Sequence, residues 1–271
     1  MRQACGGAGY LVSSGICSFW QESTPYPTYE GVNIVMLQQS TRYLFKQVGK
    51  VERGKKCQGY FAYLNETEAL CSSKSEARNP EDFITWDHLT KALTTRAAYF
   101  IRETRNLMKS DSSDKKTQEN EVYALELQIL AKYHLNYVLF EMAKKRVTTH
   151  KFVDENIRFP LETLVKLFAV KQLVDDSQCL FETGFFGKGS GQLRDAAYKK
   201  LLKDLRPNMI GLVEFLSGAD ASMQTTIGNY YGDIYEKQLE VAKASRLNKN
   251  EVPPYYETLM KPTMTMRKPN L

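Results

Sequence analysis

Between Val122 and Phe140 the chain reads V-Y-A-L-E-L-Q-I-L-A-K-Y-H-L-N-Y-V-L-F. Val122, Leu125, Ile129, Tyr133, Tyr137 and Phe140 recur at steps of three and four, the spacing of a helix that buries one face. The same rhythm runs outward in both directions. Upstream, Val32, Val35, Met36, Gln39, Tyr43 and Leu44 share one face of a helix expected to end near Gly49. Leu89, Leu93, Ala97, Phe100 and Ile101 mark another. Downstream, Pro160 suits the first position of a helix carrying Leu161, Leu164, Val165 and Phe168, because proline needs no N–H donor there. Leu193, Ala197, Leu201 and Leu205 give a further helix, and two more follow Pro207 and Gly232. No segment alternates apolar and polar residues for long, so no sheet is expected. The fold class is all-α, a bundle of packed helices. The breaks at Gly49–Gly59, Ser110–Asn120 and Thr183–Gly191 read as loops.

Composition narrows the function. The chain has 271 residues, 42% apolar and 25% charged, enough to bury a core without staples. No apolar run is long enough for a membrane span, and no secretory signal is expected at the start. The cysteines (Cys5, Cys17, Cys57, Cys71, Cys179) are odd in number and widely spaced, with no C-x-x-C pair. That pattern points to a reducing compartment and to no zinc site. His88, His134 and His150 lack any metal-ligand spacing and read as core or solvated residues, so no metal is expected. The net charge is +6, from 37 basic and 31 acidic residues. Its densest runs, Lys46–Lys56 and Lys261–Lys268, are explained by a solvated loop and tail, so nucleic acid is not an expected partner.

The first thirty residues differ from the rest. Cys5-Gly6-Gly7-Ala8-Gly9-Tyr10 is a glycine-rich turn, and no strand precedes it, so it is not a dinucleotide fingerprint. It serves either as a helix–helix loop or as backbone open to a ligand. Further on, Glu30 follows Phe19, Trp20, Tyr26 and Tyr29 and precedes Gly31. Apolar surroundings would raise its carboxyl pKa toward that of a general base. A plain Glu near a helix N-terminus fits the same residues.

Two stretches taken together, R-Q-A-C-G-G-A-G-Y (Arg2–Tyr10) and P-T-Y-E-G-V-N-I-V-M-L-Q-Q-S (Pro27–Ser40), resemble the acyl-CoA dehydrogenase and oxidase superfamily. The second half is similar to peroxisomal acyl-CoA oxidases. It carries Leu205-Arg206-Pro207-Asn208, then Gly228-Asn229-Tyr230-Tyr231-Gly232-Asp233-Ile234-Tyr235-Glu236, then Ala242-Lys243-Ala244-Ser245. The resemblance covers the whole chain and implies only the C-terminal helical part of the family architecture, without its β-barrel domain. Residues 1–80 would be a remnant of the first C-terminal helical domain, and residues 81–271 a complete second one.

The resemblance implies a chemistry. Glu30 would be the base that removes the α-proton of an acyl-CoA thioester while hydride leaves the β-carbon for FAD. The product would be a trans-2-enoyl-CoA, and oxygen would become hydrogen peroxide. Gly31 would let the substrate pass close to the chain. Gln3, Gly6, Gly7 and Asn33 would approach the flavin cofactor. The chain alone is expected to be inactive and to hold no FAD, because it contributes edges of that site. Expected partners are acyl-CoA and either a second copy or a full-length oxidase subunit. The alternative is a non-catalytic interaction protein derived from a shortened oxidase. Ala8 departs from a histidine common in the family. Pro269-Asn270-Leu271 is a poor match to a Ser-Lys-Leu-type signal, so the peroxisomal location implied by the family competes with a cytoplasmic one.

Overall fold

The computed structural model describes residues 2–152, 154–216, 223 and 225–265, and the regular elements among them are all helical. The tail Pro269–Leu271 and Lys268 lie outside the described residues. In chain order the α-helices are α1 (Ile16–Ser23), α2 (Asn33–Glu52), α3 (Thr67–Ser72), α4 (Pro80–Phe83), α5 (Trp86–Ser110), α6 (Lys115–Thr117), α7 (Ala124–Thr149), α8 (Arg158–Asp175), α9 (Gln178–Glu182), α10 (Ser190–Leu205), α11 (Met209–Leu216), α12 (Ile234–Ala244) and α13 (Lys261–Thr265). Several start on side-chain caps. Asn79 accepts the Asp82 N–H ahead of Pro80, Thr85 accepts the His88 N–H, and Asp114 accepts the Lys116 and Thr117 N–H groups. Each cap satisfies donors that a helix leaves free in its first turn.

Packing divides the chain into two units. One is Pro27–Ile210; the other joins Met1–Tyr26 to Gly211–Leu271. This division differs from the boundary near residue 80 read from sequence. The reason is the α2–α3 region, which belongs to the core of the larger unit. Leu44 of α2, Tyr63 and Leu64 of a 3-10 segment (Gly59–Glu66), and Cys71 of α3 are buried with Leu89, Leu93, Ala97 and Ile101 of α5. Leu130, Tyr137 and Phe140 of α7, Leu173 of α8 and Leu201 of α10 complete that core. α7 sits centrally, packing on α2, α5 and α8, and α8 packs on α10. The hydroxyl of Thr41 donates to the Leu127 carbonyl at 2.6 Å and so ties α2 to α7.

The expected face of α2 is divided by this packing. Leu44 is 1% exposed, whereas Val35 is 44% exposed, and Val32, Met36 and Tyr43 are also exposed. Other boundaries shift by a turn. α2 runs through buried Gly49 to Glu52, which shortens the expected loop to residues 53–58. The polar run after Ser110 is partly helical, because Asp114 nucleates a turn that continues as a π-turn over Gln118–Val122. Pro160 is the third residue of α8, not the first. A 3-10 turn capped by Asp154 leads into Arg158, and proline is tolerated throughout the first turn.

In the smaller unit, the N-terminal and C-terminal segments meet through backbone. The Thr226 N–H donates to the Ser13 carbonyl at 2.9 Å, and its hydroxyl donates to the same oxygen at 3.1 Å. Gly15 allows this approach, since a Cβ there would lie 2.2 Å from Thr225 Cγ2.

Candidate functional site

The segment Pro27–Asn33 is a closed loop at the head of α2. The Asn33 N–H donates to the Pro27 carbonyl at 2.9 Å, and Val32 takes an extended conformation as the N-cap. Between them Glu30 has φ 54°, the non-glycine residue with positive φ among those described. That left-handed conformation costs an L-residue about 1–2 kcal/mol. Gly31 follows at φ 126°, a region open to glycine alone, with Met36 Cε 2.9 Å from where a Cβ would stand. Two consecutive positive φ angles turn the chain just before the N-terminus of α2, the positive end of its dipole. Asn33, as the first residue of α2, faces the same end.

Within the larger unit, no apolar enclosure surrounds this carboxylate among the described residues. Glu30 is exposed, as are Phe19, Trp20, Tyr26 and Tyr29. Two cavities of the larger unit, one near His88 and one between α2 and α5, are not lined by Glu30, Gly31 or Asn33.

Gln3, Gly6 and Gly7 belong to the smaller unit, whereas Glu30, Gly31 and Asn33 belong to the larger. The first three form a tight turn, with the Gly6 N–H donating to the Gln3 carbonyl at 3.2 Å and the Tyr10 N–H to the Gly7 carbonyl at 3.0 Å. All three are exposed. Gly7 has an ordinary helical backbone, and a Cβ on Gly6 or Gly7 would meet nothing within 4 Å. Neither packing nor backbone geometry within the chain demands glycine at position 7. The backbone at Gly6 and Gly7 is open to solvent on the side where a Cβ would stand.

His134 follows the core reading. His134 is buried, with Nδ1 3.1 Å from the Tyr63 hydroxyl and its ring stacked on Phe61. Burial pulls its pKa down to about 4. No group of three or more potential metal ligands occurs among the described residues, and the cysteines are free. No described helix is long and apolar enough to cross a membrane. Sequence reading did not single out Arg96, a charged residue sealed inside the core, nor the pairing of Ser75 with His88 across a loop.

Comparison with known proteins agrees with this architecture. The chain is 30% identical to acyl-coenzyme A oxidase acox-1.1 of Caenorhabditis elegans over 97% of its own length and 39% of that protein. It is 29% identical to peroxisomal acyl-coenzyme A oxidase 1 of Phascolarctos cinereus, over 96% of its length and 40% of the relative's. The chain therefore spans about two-fifths of the length of the curated relatives it matches. Among solved structures, an acyl-CoA oxidase from tomato superposes with a TM-score of 0.90 at 25% identity, covering 97% of this chain and 40% of that one. Acyl-CoA oxidase-2 of Caenorhabditis elegans, bound with FAD, ascaroside-CoA and ATP, superposes with a TM-score of 0.83 at 26% identity, covering 100% of this chain and 39% of that one. The family model "Acyl-CoA oxidase, C-alpha1 domain" matches residues 1–45. The model "Acyl-CoA oxidase" matches residues 85–265, two-thirds of the sequence, and the chain belongs to the acyl-CoA oxidase family.

Proposed function

We propose that this chain supplies the helical C-terminal part of a flavin-dependent acyl-CoA oxidase, with Glu30 as the base that takes the α-proton of an acyl-CoA thioester. The observation that carries the reading is the left-handed Glu30 backed by Gly31 at the head of α2. A strained residue of this kind persists when the surrounding structure over-determines it, and such residues cluster at sites of chemistry. It lies within residues 1–45, the stretch matched by the family's C-alpha1 model. Gly31, with no side chain, lets the chain turn at φ 126° beside the carboxylate, where the flexible Met36 side chain now lies.

The open backbone at Gly6 and Gly7, with Gln3 beside it, supports a role in holding FAD, and Asn33 is a second polar contact from the head of α2. The chemistry that bound FAD supplies is acceptance of hydride from the substrate β-carbon and delivery of the electrons to oxygen. Because Glu30 and the glycine turn are both exposed, the isolated chain is expected to hold no FAD and to turn over no acyl-CoA. Enclosure then comes from other domains or from a second subunit. The exposed Val32, Ile34, Val35 and Met36 at the start of α2 suit such a partner, either another copy or a longer oxidase subunit. The relatives named as peroxisomal support that location for the assembled enzyme.

A chimera tests this. Residues 1–271 replace the matching C-terminal part of the Caenorhabditis elegans relative, and acyl-CoA-dependent peroxide is measured. Peroxide formation with bound flavin is expected, and Glu30→Gln should lower kcat by about 10²–10⁴-fold while flavin absorbance is retained. A flavin-loaded chimera that stays equally active with the Glu30→Gln substitution would overturn the assignment of the base.

A further inference from the structure

His88 lies in the first turn of α5, at the wall of a cavity of about 610 Å³ in the larger unit. Its Nδ1 is 2.8 Å from the backbone carbonyl of Phe83. A carbonyl only accepts, so Nδ1 carries the hydrogen and Nε2 presents a lone pair. Ser75 Oγ stands 2.9 Å from Nε2 and donates to it. Serine, imidazole and an orienting oxygen are thus in line, in the tautomer that lets the ring take the serine proton. Neither partner is loose. The Ser75 N–H donates to the Phe185 carbonyl at 2.8 Å, and the imidazole packs against the rings of Phe83 and Phe186 at 4.6 and 6.4 Å between centroids. Burial holds the imidazole pKa below its usual value, Lys91 pushes it the same way, and the Phe83 carbonyl and Asp82 oppose them. The neutral ring is therefore the resting form at pH 7.

Lys91 stands one helical turn beyond His88 and lines the same cavity, as do Lys74 and Arg78 on the loop before α4. Their side chains make no ion pair among the described residues, while Glu76, Asp82 and Asp87 share the rim. Three cations and three carboxylates thus share the lining of the cavity that holds the serine.

We propose that Ser75 and His88 form an acyl-transfer site that hydrolyses activated acyl esters and thioesters. His88 Nε2 takes the Ser75 proton as Oγ bonds to the acyl carbon. The carbon–sulfur or carbon–oxygen bond of the leaving group breaks, and that group departs with the proton from His88. Water then attacks the acyl-serine, again through His88, releasing the acid and restoring the serine hydroxyl. The net reaction is ester plus water to acid plus thiol or alcohol, and no oxidant enters. Lys91 stabilises the oxyanion.

The test uses the 271-residue chain with a fluorophosphonate, which labels only activated serines, and p-nitrophenyl acetate as the ester. One adduct mapping to Ser75 by peptide mass spectrometry is expected, with p-nitrophenolate released at a matching active-site fraction. Ser75→Ala should abolish both, His88→Gln should slow labelling by about 100-fold or more, and Lys91→Gln should slow it several-fold. His88 is partly packed, so its variant is checked by circular dichroism. If that variant is unfolded, the pH dependence of labelling in the unmodified chain decides, and the rate must fall as the imidazole protonates. An unlabelled Ser75 in the folded chain, labelling that survives Ser75→Ala, or labelling indifferent both to His88 and to pH between 5 and 8 would overturn the proposal. Each of those results would leave the bond as an anchor of the Ser73–Asn79 segment.

Discussion

The guanidinium of Arg96 lies 4.4 Å from the centre of the Tyr133 ring, and both side chains converge on the C-terminus of α8. Arg96 donates to the carbonyls of Gln172 and Asp176 at 2.8 Å each, and the Tyr133 hydroxyl donates to the Asp176 carboxylate. Arg96 is 1% exposed, and burial pulls its pKa down while Tyr133 and Asp176 push it back up. A cation here meets the carbonyls that close the end of α8, of which that of Gln172 also accepts from the Asp176 N–H, and the negative end of the helix dipole. Removing one partner of such a buried arrangement costs about 3–5 kcal/mol. Arg96→Ala should therefore lower stability by about that amount in urea unfolding. Arg96→Lys, which keeps the charge but not the planar guanidinium over the Tyr133 ring, should lose roughly half as much.

Acid should weaken the fold through His134. The unfolded chain takes up this proton near pH 6.5, but the folded chain does so only near pH 4. The stabilisation is complete above pH 6.5 and is lost progressively as pH falls toward 4, by about 3 kcal/mol in all. His88 adds a loss of the same sign. Urea midpoints measured from pH 7 to pH 4 should show a shallower slope in His134→Gln than in the parent chain.

The loop at the head of α2 should show its strain thermally. Gly31→Ala forces a methyl group onto φ 126° and should cost about 1–3 kcal/mol. Glu30→Val places a β-branched residue in the left-handed region and should also lower Tm. Glu30→Gly should be close to neutral, because relief of the backbone is offset by the greater freedom of glycine in the unfolded chain. A Tm rise with Glu30→Val would contradict the assigned backbone.

Within residues 27–210, trypsin should cut first at Arg53, Lys55 or Lys56, which are exposed on the loop after α2. The nicked pieces should remain together on gel filtration. Thr41 holds the Leu127 carbonyl, Arg42 pairs with Glu119, and Glu52 pairs with Arg105 and Lys109 across the cut. Prompt separation of the fragments would show that α2 is less firmly docked than its buried Leu44 implies.

The long helices were legible because a buried stripe on α5 or α7 needs apolar residues every three or four positions, and little else produces that rhythm. What escaped was set by tertiary contact. Tyr63 and Leu64 sit on a 3-10 segment too short for periodicity, yet they are core. Gly49 reads as a helix stop, but the chain stays helical there because Leu44 and Gln47 just before it are already docked. Arg96 reads as solvated charge until the end of α8 arrives above it. For the candidate site, Glu30 and its glycines were visible as residue types and by resemblance. The left-handed backbone at Glu30 was not, since it follows from the closure of Asn33 onto Pro27. The exposure of Glu30 also ran against the expectation of an apolar pocket assembled from its aromatic neighbours in sequence.

The hydrogen bonds from Thr226 to Ser13 join positions 213 residues apart, which bears on how the chain is made. The unit Pro27–Ile210 is continuous in sequence, so its internal contacts are all available once Ile210 leaves the ribosome. Residues 1–26 are not so placed, because their companions begin only at Gly211, on the far side of the whole larger unit. At about 5–20 residues per second, they wait roughly 10–40 s after emerging, with Gly9 and Ser14, buried in the folded chain, uncovered. Translation speed and early chaperone contact should therefore govern the yield of the end-to-end unit far more than that of the central bundle, and moving residues 1–26 behind residue 271 by circular permutation should remove the delay.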